Sequence, residues 1–333
     1  MNAWVIDDFG GPEVFDKREQ PTPTPDNDEV LVRVHATSVN PVDYMIRRGD
    51  AEGLCPPRPA VLHGDVAGTV AAVGSEVTAF EEGAPVYGCA GGYTNAPDGA
   101  LADYMPCDAR LLAPKPDRLS FREAAALPLV TLTAWEALID KAEIGPSDQV
   151  LVHGATGGVG HVGLQLAAWR GSSVTATASS QRKLDIGADL GADTLVNYED
   201  EPVSDYVQRC TEDAGFDVVF DTVGGDNFHR SVEAARLNGA VATVNPQVDV
   251  DLRPAYNKGL TLHLVLMLIP MLQGVGRAHH GQILRRATAL VNEGSLRPLV
   301  DDRSFTFDEI GAAHTYAESG SQVGKVVATH PDA

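Results

Sequence analysis

The sequence predicts an α/β protein in which a β-rich first third is followed by a doubly wound parallel sheet. Three observations predict it. Residues 29–36 (EVLVRVHA) alternate Val30, Val32 and Val34 against Leu31, Arg33 and His35, the period of a strand. Proline and glycine punctuation at 21–25, 56–59, 91–92 and 97–99 breaks the first third into short strands and long loops. After residue 120, strand-like and helix-like segments alternate through five repeats, the pattern of a parallel sheet covered by helices. A length of 333 residues fits two domains at roughly 150 residues each.

The elements follow in order. Strands are expected at 29–36 and 67–73, after an extended connector at 21–25 (PTPTP). Ser120 with Glu123 forms a capping box that opens an Ala/Leu-rich helix toward residue 138, interrupted at Pro128. Then come strand 150–152, helix 159–169, strand 174–178, helix 181–190 stopped by Gly191, and strand 194–196. Helix 203–211, strand 218–220, helix 228–237 stopped by Gly239, and strand 241–244 complete the alternation. Beyond it lie a helix near 283–291 ended by Gly294, a helix near 309–318, and a closing strand at 325–328. The apolar run 260–272 is interrupted by His263 and Pro270 and falls short of the ~20 residues that span a bilayer. It is expected to be a buried segment or a subunit contact.

Composition narrows the partners. With 46 Asp and Glu against 25 Lys and Arg, the net charge is −21, which repels a nucleic-acid backbone and an acidic bilayer. Only six of the cations are Lys, a balance that suits a chain working in high salt, where the Debye length shrinks to ~3 Å at 1 M. The four cysteines (55, 89, 107, 210) form no CxxC pair, so neither a disulfide scaffold nor a structural zinc site is encoded. The opening residues carry no basic stretch followed by an apolar run, so a cytoplasmic protein is expected.

The strongest local signal is 150–166, a strand, a glycine turn and a helix start. Ala155, Thr156, Gly157, Gly158, Val159 and Gly160 read AxGxxG, in the context a dinucleotide requires: backbone N–H groups approach the pyrophosphate and the helix start offers its positive end. A site for NAD places an acid at the end of the second strand to hold the ribose hydroxyls. Here that strand runs into Ser179, Ser180, Gln181, Arg182 and Lys183, with no acid before Asp185. Two hydroxyls and two cations suit a 2′-phosphate, so NADPH is the expected cofactor.

Taken with that turn, the motifs SVNPVD (38–43), Ile46, Arg47 and Gly49, GDVAG (64–68), Val73 and Gly74, GALADY (99–104), TAW (133–135), Asn197 and Tyr198, and GKVV (324–327) resemble the zinc-independent medium-chain dehydrogenases/reductases, nearest the quinone oxidoreductase (zeta-crystallin-like) group. The resemblance covers nearly the whole chain. It implies a GroES-like catalytic domain from residues 1–122 and 261–333, a Rossmann NADPH-binding domain from 123–260, a cleft between them for the nicotinamide, and a homodimer, in some members a tetramer. By matching position it implies Thr133 at the nicotinamide, 155–160 at the pyrophosphate, Ser179, Ser180, Lys183 and Tyr198 at the 2′-phosphate, and Val244 and Asn245 at the nicotinamide amide.

The zinc-dependent branch carries Cys where Asn40 stands and His where Gly64 stands, and His63 lies one residue out of register, so no metal is expected. Without a Lewis acid, hydride delivery to an acceptor that is already electron-poor remains. The resemblance implies Asn40 as a neutral hydrogen-bond donor to the acceptor carbonyl and Asp43 as a residue that orients its loop. Related reductases carry a Tyr where Met45 or Ala51 stands; Tyr44 is displaced by one, and Tyr44 or Tyr93, or water, is left as the proton source. The expected activity is NADPH-dependent reduction of quinones or α,β-unsaturated carbonyl compounds. The alternatives are an enoyl-thioester reductase, with Arg47, Arg48 and Arg58 meeting the CoA phosphates, and a non-catalytic NADPH-binding protein.

Overall fold

The computed structural model describes residues 1–332 apart from Pro246 and Val248. It divides into two compact units: Met1–Leu129 with Leu268–Gly294 and Val300–Ala333, and Val130–Met267 with Ser295–Leu299.

The first unit is built on a mixed sheet with strand order Phe305–Thr306, Val327–Thr329, Glu29–Ser38, Asp65–Val73, Pro85–Cys89, Leu112–Pro114, and Tyr104–Asp108 also pairs with Glu29–Ser38. The alternation read in residues 29–36 is the pleat of its longest strand, whose register against Asp65–Val73 shifts twice, at bulges near Leu31 and Val34. A small sheet of Asp16–Glu19, Asn2–Ile6 and Ala60–Val61 stands apart. The capping box is formed: Ser120 N–H donates to Glu123 Oε2 at 2.8 Å and Glu123 N–H to Ser120 Oγ at 3.2 Å.

The second unit holds six parallel strands in the order Thr194–Asn197, Ser173–Ala178, Gln149–His153, Phe216–Asp221, Ala235–Thr243, Thr261–Leu264. Numbered along the chain that order is 3-2-1-4-5-6, the doubly wound arrangement whose switch point lies between the first and fourth strands. The core between the sheet and its helices is apolar, with Val150, Leu151, Val152, Val219, Phe220 and Val241 buried.

Three expectations need correction. The helix expected at 228–237 ends at Ala234, because Ala235 enters the sheet opposite Phe216; Gly239 lies within that strand and stops nothing. The second unit does not close at 260, because Thr261–Leu264 adds a sixth strand along Ala240–Thr243. Residues 295–299 also return to this unit, where Arg297 N–H donates to Gln165 Oε1 and Gln165 Nε2 to the Arg297 carbonyl, each at 2.9 Å. The apolar run 260–272 is half buried: Val265, Met267, Leu268 and Met271 are inside, whereas Leu264 is 62% exposed and Leu266 and Ile269 are open. Among the described residues, no helix is long and apolar enough to cross a membrane.

Candidate active site

The Gln149–His153 strand ends at Gly154, whose φ of +66° starts the turn, and Gly157 N–H donates to the Gly154 carbonyl at 2.8 Å. A Cβ on Gly160 would lie 2.1 Å from the Gly154 oxygen, and one on Gly163 would lie 2.4 Å from the Phe220 ring. The first glycine lets the turn close; the second lets the Gly160–Trp169 helix pack on the Phe216–Asp221 strand. Ala155 and Thr156 are buried beneath the turn, while 157–159 are half exposed at the helix start, where an anion meets the positive end of the dipole.

At the end of the second strand, Ala178 lies opposite Asn197 and Tyr198 N–H donates to the Ala178 carbonyl at 3.3 Å. This register brings the half-buried Ser179, Ser180 and Lys183 to the same sheet end as the exposed Tyr198. Ser180 stands at the N-cap of the Gln181–Asp189 helix, yet its hydroxyl makes no capping bond. Asp185 is held by Gln181 Nε2 at 2.7 Å. The turn, and a strand end that offers Ser179, Ser180 and Lys183 before its first acid, fit a phosphorylated dinucleotide.

Asp221 and Thr222, which lie outside the motifs named above, shape the switch point. Asp221 ends the fourth strand beside His153, and its Oδ1 accepts from Val223 N–H at 3.1 Å, Gly224 N–H at 2.9 Å and Asn227 Nδ2 at 2.9 Å. Thr222 Oγ1 donates to the His153 carbonyl at 2.7 Å, so the loop after the fourth strand is tied to the strand that feeds the glycine turn. Burial pushes His153 down to about 4, opposed by the Asp221 carboxylate. Asn245 Nδ2 donates to the Val223 carbonyl at 3.3 Å, and Val244 N–H to the Asp221 carbonyl at 3.3 Å. The run Asp221 to Gly225 (DTVGG) at a strand end was the available signal. Thr133, on the Pro128–Trp135 helix, is nearly buried.

In the first unit, Asn40 begins the Pro41–Arg48 helix and its N–H donates to Asp43 Oδ2 at 2.7 Å. Its side chain is 1% exposed and committed on both sides: Nδ2 donates to Asp65 Oδ2 at 2.9 Å and Oδ1 accepts from Lys325 Nζ. The second amide N–H of Asn40 faces the Ser38 carbonyl at 3.5 Å, the outer limit of a hydrogen bond, so it is the one hydrogen left for the expected donation to an acceptor carbonyl, while the other contacts hold the side chain and its loop in place. Asp65 Oδ2 also accepts from Ser38 Oγ at 2.6 Å, Asp65 Oδ1 from Leu129 N–H at 2.8 Å, and Lys325 Nζ donates to the Val39 carbonyl at 2.8 Å. Lys325, 4.0 Å from Asp65, is thus a buried cation beside two buried carboxylates. Burial, reinforced by the Asp65 charge, pushes Asp43 up to about 7, while burial lowers Lys325. Nothing in the sequence marked Lys325 as a partner of residue 40, because 285 positions separate them.

Tyr44 is half buried, with the Arg48 guanidinium 5.4 Å from its ring centroid, and burial raises its hydroxyl. Tyr93 is wholly buried, and a Cβ on Gly64 would come within 2.8 Å of its hydroxyl, so only glycine fits beside it there. Arg47 is buried too, its Nη2 2.5 Å from Glu318, whereas Arg48 pairs with Asp50 and Arg58 lies over Phe9. His63 faces His314 with their Nε2 atoms 2.8 Å apart. Among the described residues no three His, Cys, Asp or Glu side chains gather as a metal site. With Asn40 amidated and lysine-bound, and with Gly64 beside it, the donor set does not fit a catalytic zinc ion.

Comparison with known proteins places this geometry. The family described as alcohol dehydrogenase GroES-like domain matches residues 26–117, and that described as zinc-binding dehydrogenase matches 190–327. The chain is 35% identical to a 2-methylene-furan-3-one reductase of Solanum lycopersicum over 99% of its length and 79% of the relative's. It is 33% identical to a chloroplastic NADPH-dependent alkenal/one oxidoreductase of Arabidopsis thaliana, over 98% and 79%. A crystal structure of an alcohol dehydrogenase superfamily protein from Novosphingobium aromaticivorans superposes with a TM-score of 0.94 at 39% identity, over 99% of both chains.

Proposed function

The chain belongs to the medium-chain dehydrogenase/reductase superfamily, and from that premise we propose that it is an NADPH-dependent reductase of quinones or α,β-unsaturated carbonyl compounds that works without zinc. The observation that carries the reading is the end of the second strand, where Ser179, Ser180 and Lys183 come before the first acid, Asp185, and Tyr198 lies alongside, joined through one sheet to the glycine turn. When bound, NADPH supplies the hydride. The chain supplies the rest. Backbone N–H groups of 155–160 hold the pyrophosphate, and Ser179, Ser180, Lys183 and Tyr198 hold the 2′-phosphate. Thr133, Val244 and Asn245 position the nicotinamide end, with Asp221 keeping the loop beneath Asn245 in place. Asn40 and Asp43 fix the loop that presents Tyr44, and Tyr44 or a water on it delivers the proton. Catalysis then rests on orienting two flat π-systems, an effect worth up to ~7–11 kcal/mol.

Of the three arginines of the thioester alternative, Arg47 is buried against Glu318 and offers no charge to a CoA phosphate, whereas Arg48 and Arg58 stay partly exposed, so that alternative keeps two of its three cations. The proposal includes a homodimer: Thr261–Leu264 is an edge strand next to the exposed Leu264 and Leu266, a surface a second copy would cover. It also includes a cytoplasm of high salt, in keeping with the −21 charge and four free cysteines.

Mixing the protein with NADPH and a panel of a benzoquinone, 9,10-phenanthrenequinone, a 2-alkenal and crotonyl-CoA, while following absorbance of the reduced cofactor, tests the reading. Turnover of the quinones or the alkenal is expected. Preference for the thioester, or binding without turnover, overturns it. Lys183→Ala should raise KM for NADPH about tenfold, the scale of one charge-assisted hydrogen bond, and leave NADH nearly unchanged.

A further inference from the structure

His63 and His314 are both wholly buried, and their rings lie 5.1 Å apart between centroids with the two Nε2 atoms at 2.8 Å. The hydrogens of this pair follow from its neighbours. Thr37 Oγ1 lies 2.6 Å from the Asp65 carbonyl, which can only accept, so the hydroxyl hydrogen is spent there. Toward His63 Nδ1, at 3.2 Å, Thr37 therefore presents a lone pair, and His63 carries its hydrogen on Nδ1. His63 Nε2 is then bare. It accepts from His314 Nε2–H, which leaves His314 Nδ1 without a hydrogen, and that atom is buried with no partner.

A further proton has no acceptable place. On His63 Nε2 it would set N–H against N–H. Moving the His314 hydrogen to Nδ1 would restore an N–H···N bond but aim the displaced N–H at no acceptor. On His314 Nδ1 it would make a buried cation. The charged groups that act on the rings are themselves cations: Lys325 on His63 and Arg47 on His314. Arg47 is paired with Glu318, one end of the same helix as His314 and shared with Arg48, and the Asp65 carboxylate is occupied by Ser38, Asn40 and Leu129. The remaining neighbour is the Phe15 ring, edge-on to His314 at 4.9 Å.

We propose that His63 and His314 form an acid-release catch: while both are neutral they fasten the Ile310–Glu318 helix to the turn bearing Gly64 and Asp65, and proton uptake lets that helix go. The proposal is independent of which acceptor the protein reduces. Burial holds His63 at about 3 and His314 well below the ordinary 6.5. The sign is then fixed. Below pH 6.5 the unfolded chain binds protons that the folded one refuses, so the stability contributed by the pair is complete above that pH and is lost as pH falls toward about 3. Each ring contributes up to about tenfold in the folding equilibrium per pH unit, and the pair about a hundredfold.

Long-range nitrogen–proton NMR on protein labelled at histidine tests the assignment directly, with His63→Gln and His314→Gln identifying the signals. The expected result at pH 7 is hydrogen on His63 Nδ1 and His314 Nε2, with neither ring titrating while the protein stays folded. Hydrogen exchange at pH 5 should show 310–318 and 60–65 opening together, ahead of the rest of their unit. Denaturation midpoints between pH 7.5 and 5 should fall more steeply for the wild type than for His63→Leu/His314→Phe. If that double variant does not fold, His314→Gln, which keeps a donor but cannot titrate there, should be shallower by about tenfold per pH unit. Titration of either ring near 6.5 in the folded protein, the reverse hydrogen placement, or equal slopes in wild type and variants overturns the proposal.

Discussion

Lys325 carries more of the first unit than its place near the end of the chain suggests. Its ammonium group faces Asn40 and the Val39 carbonyl and stands near Asp65, with Asp43 one helical turn along the same loop. Lys325→Met removes the cation and leaves two buried carboxylates, a loss on the scale of ~3–5 kcal/mol. The carboxylates of such a variant must fold protonated, so folding takes up protons and the deficit shrinks as pH falls. Chemical denaturation of Lys325→Met should therefore show a larger deficit at pH 8 than at pH 5. Adding Asp65→Asn should recover part of the loss at pH 8. A deficit that does not change with pH would mean that Lys325 acts through packing alone.

Among the elements, the Gly160–Trp169 helix depends on the absence of a side chain at two positions, Gly160 and Gly163. Gly163 touches the Phe220 ring so closely that even a methyl would overlap it, and overpacking of this kind costs ~1–3 kcal/mol. Gly163→Ala should lower the melting temperature by several degrees, on a scale of about 2–4 °C per kcal/mol for a chain of this size, with NADPH binding weakened in parallel because the helix start moves. Gly163→Ala with Phe220→Leu makes room for the methyl and should regain most of the lost stability. Failure of the pair to recover would place the defect in the turn rather than in the packing.

For the whole molecule the governing quantity is charge. An excess of 21 negative charges repels itself at low ionic strength, and salt screens that repulsion. Raising KCl from ~0.1 to ~2 M should raise the denaturation midpoint as the Debye length shrinks from ~10 Å to below ~3 Å. Unchanged stability over that range would remove the high-salt reading and leave an acidic protein of ordinary habit.

Local chemistry alone determined a good deal of this protein. Strand alternation in 29–36, the Ser120/Glu123 capping box, the order of strands and helices through the second unit, and the glycine turn with its neighbouring strand end all depend on contacts a few residues apart, and the chain follows them. Asn40 was legible as a special position but not in its orientation: its amide turns inward because Lys325 and Asp65, distant in sequence, meet it there. His63 looked unpaired for the same reason, since its partner arrives 251 residues later. Helix 228–237 ended early, and Thr261–Leu264 joined the parallel sheet, because a neighbouring strand satisfied backbone groups that local propensity had assigned elsewhere. Short-range periodicity and capping are written into consecutive residues; the partners of buried charges and the edges of a sheet are decided only when distant segments pack, because burial makes an unpaired polar group too costly to leave alone.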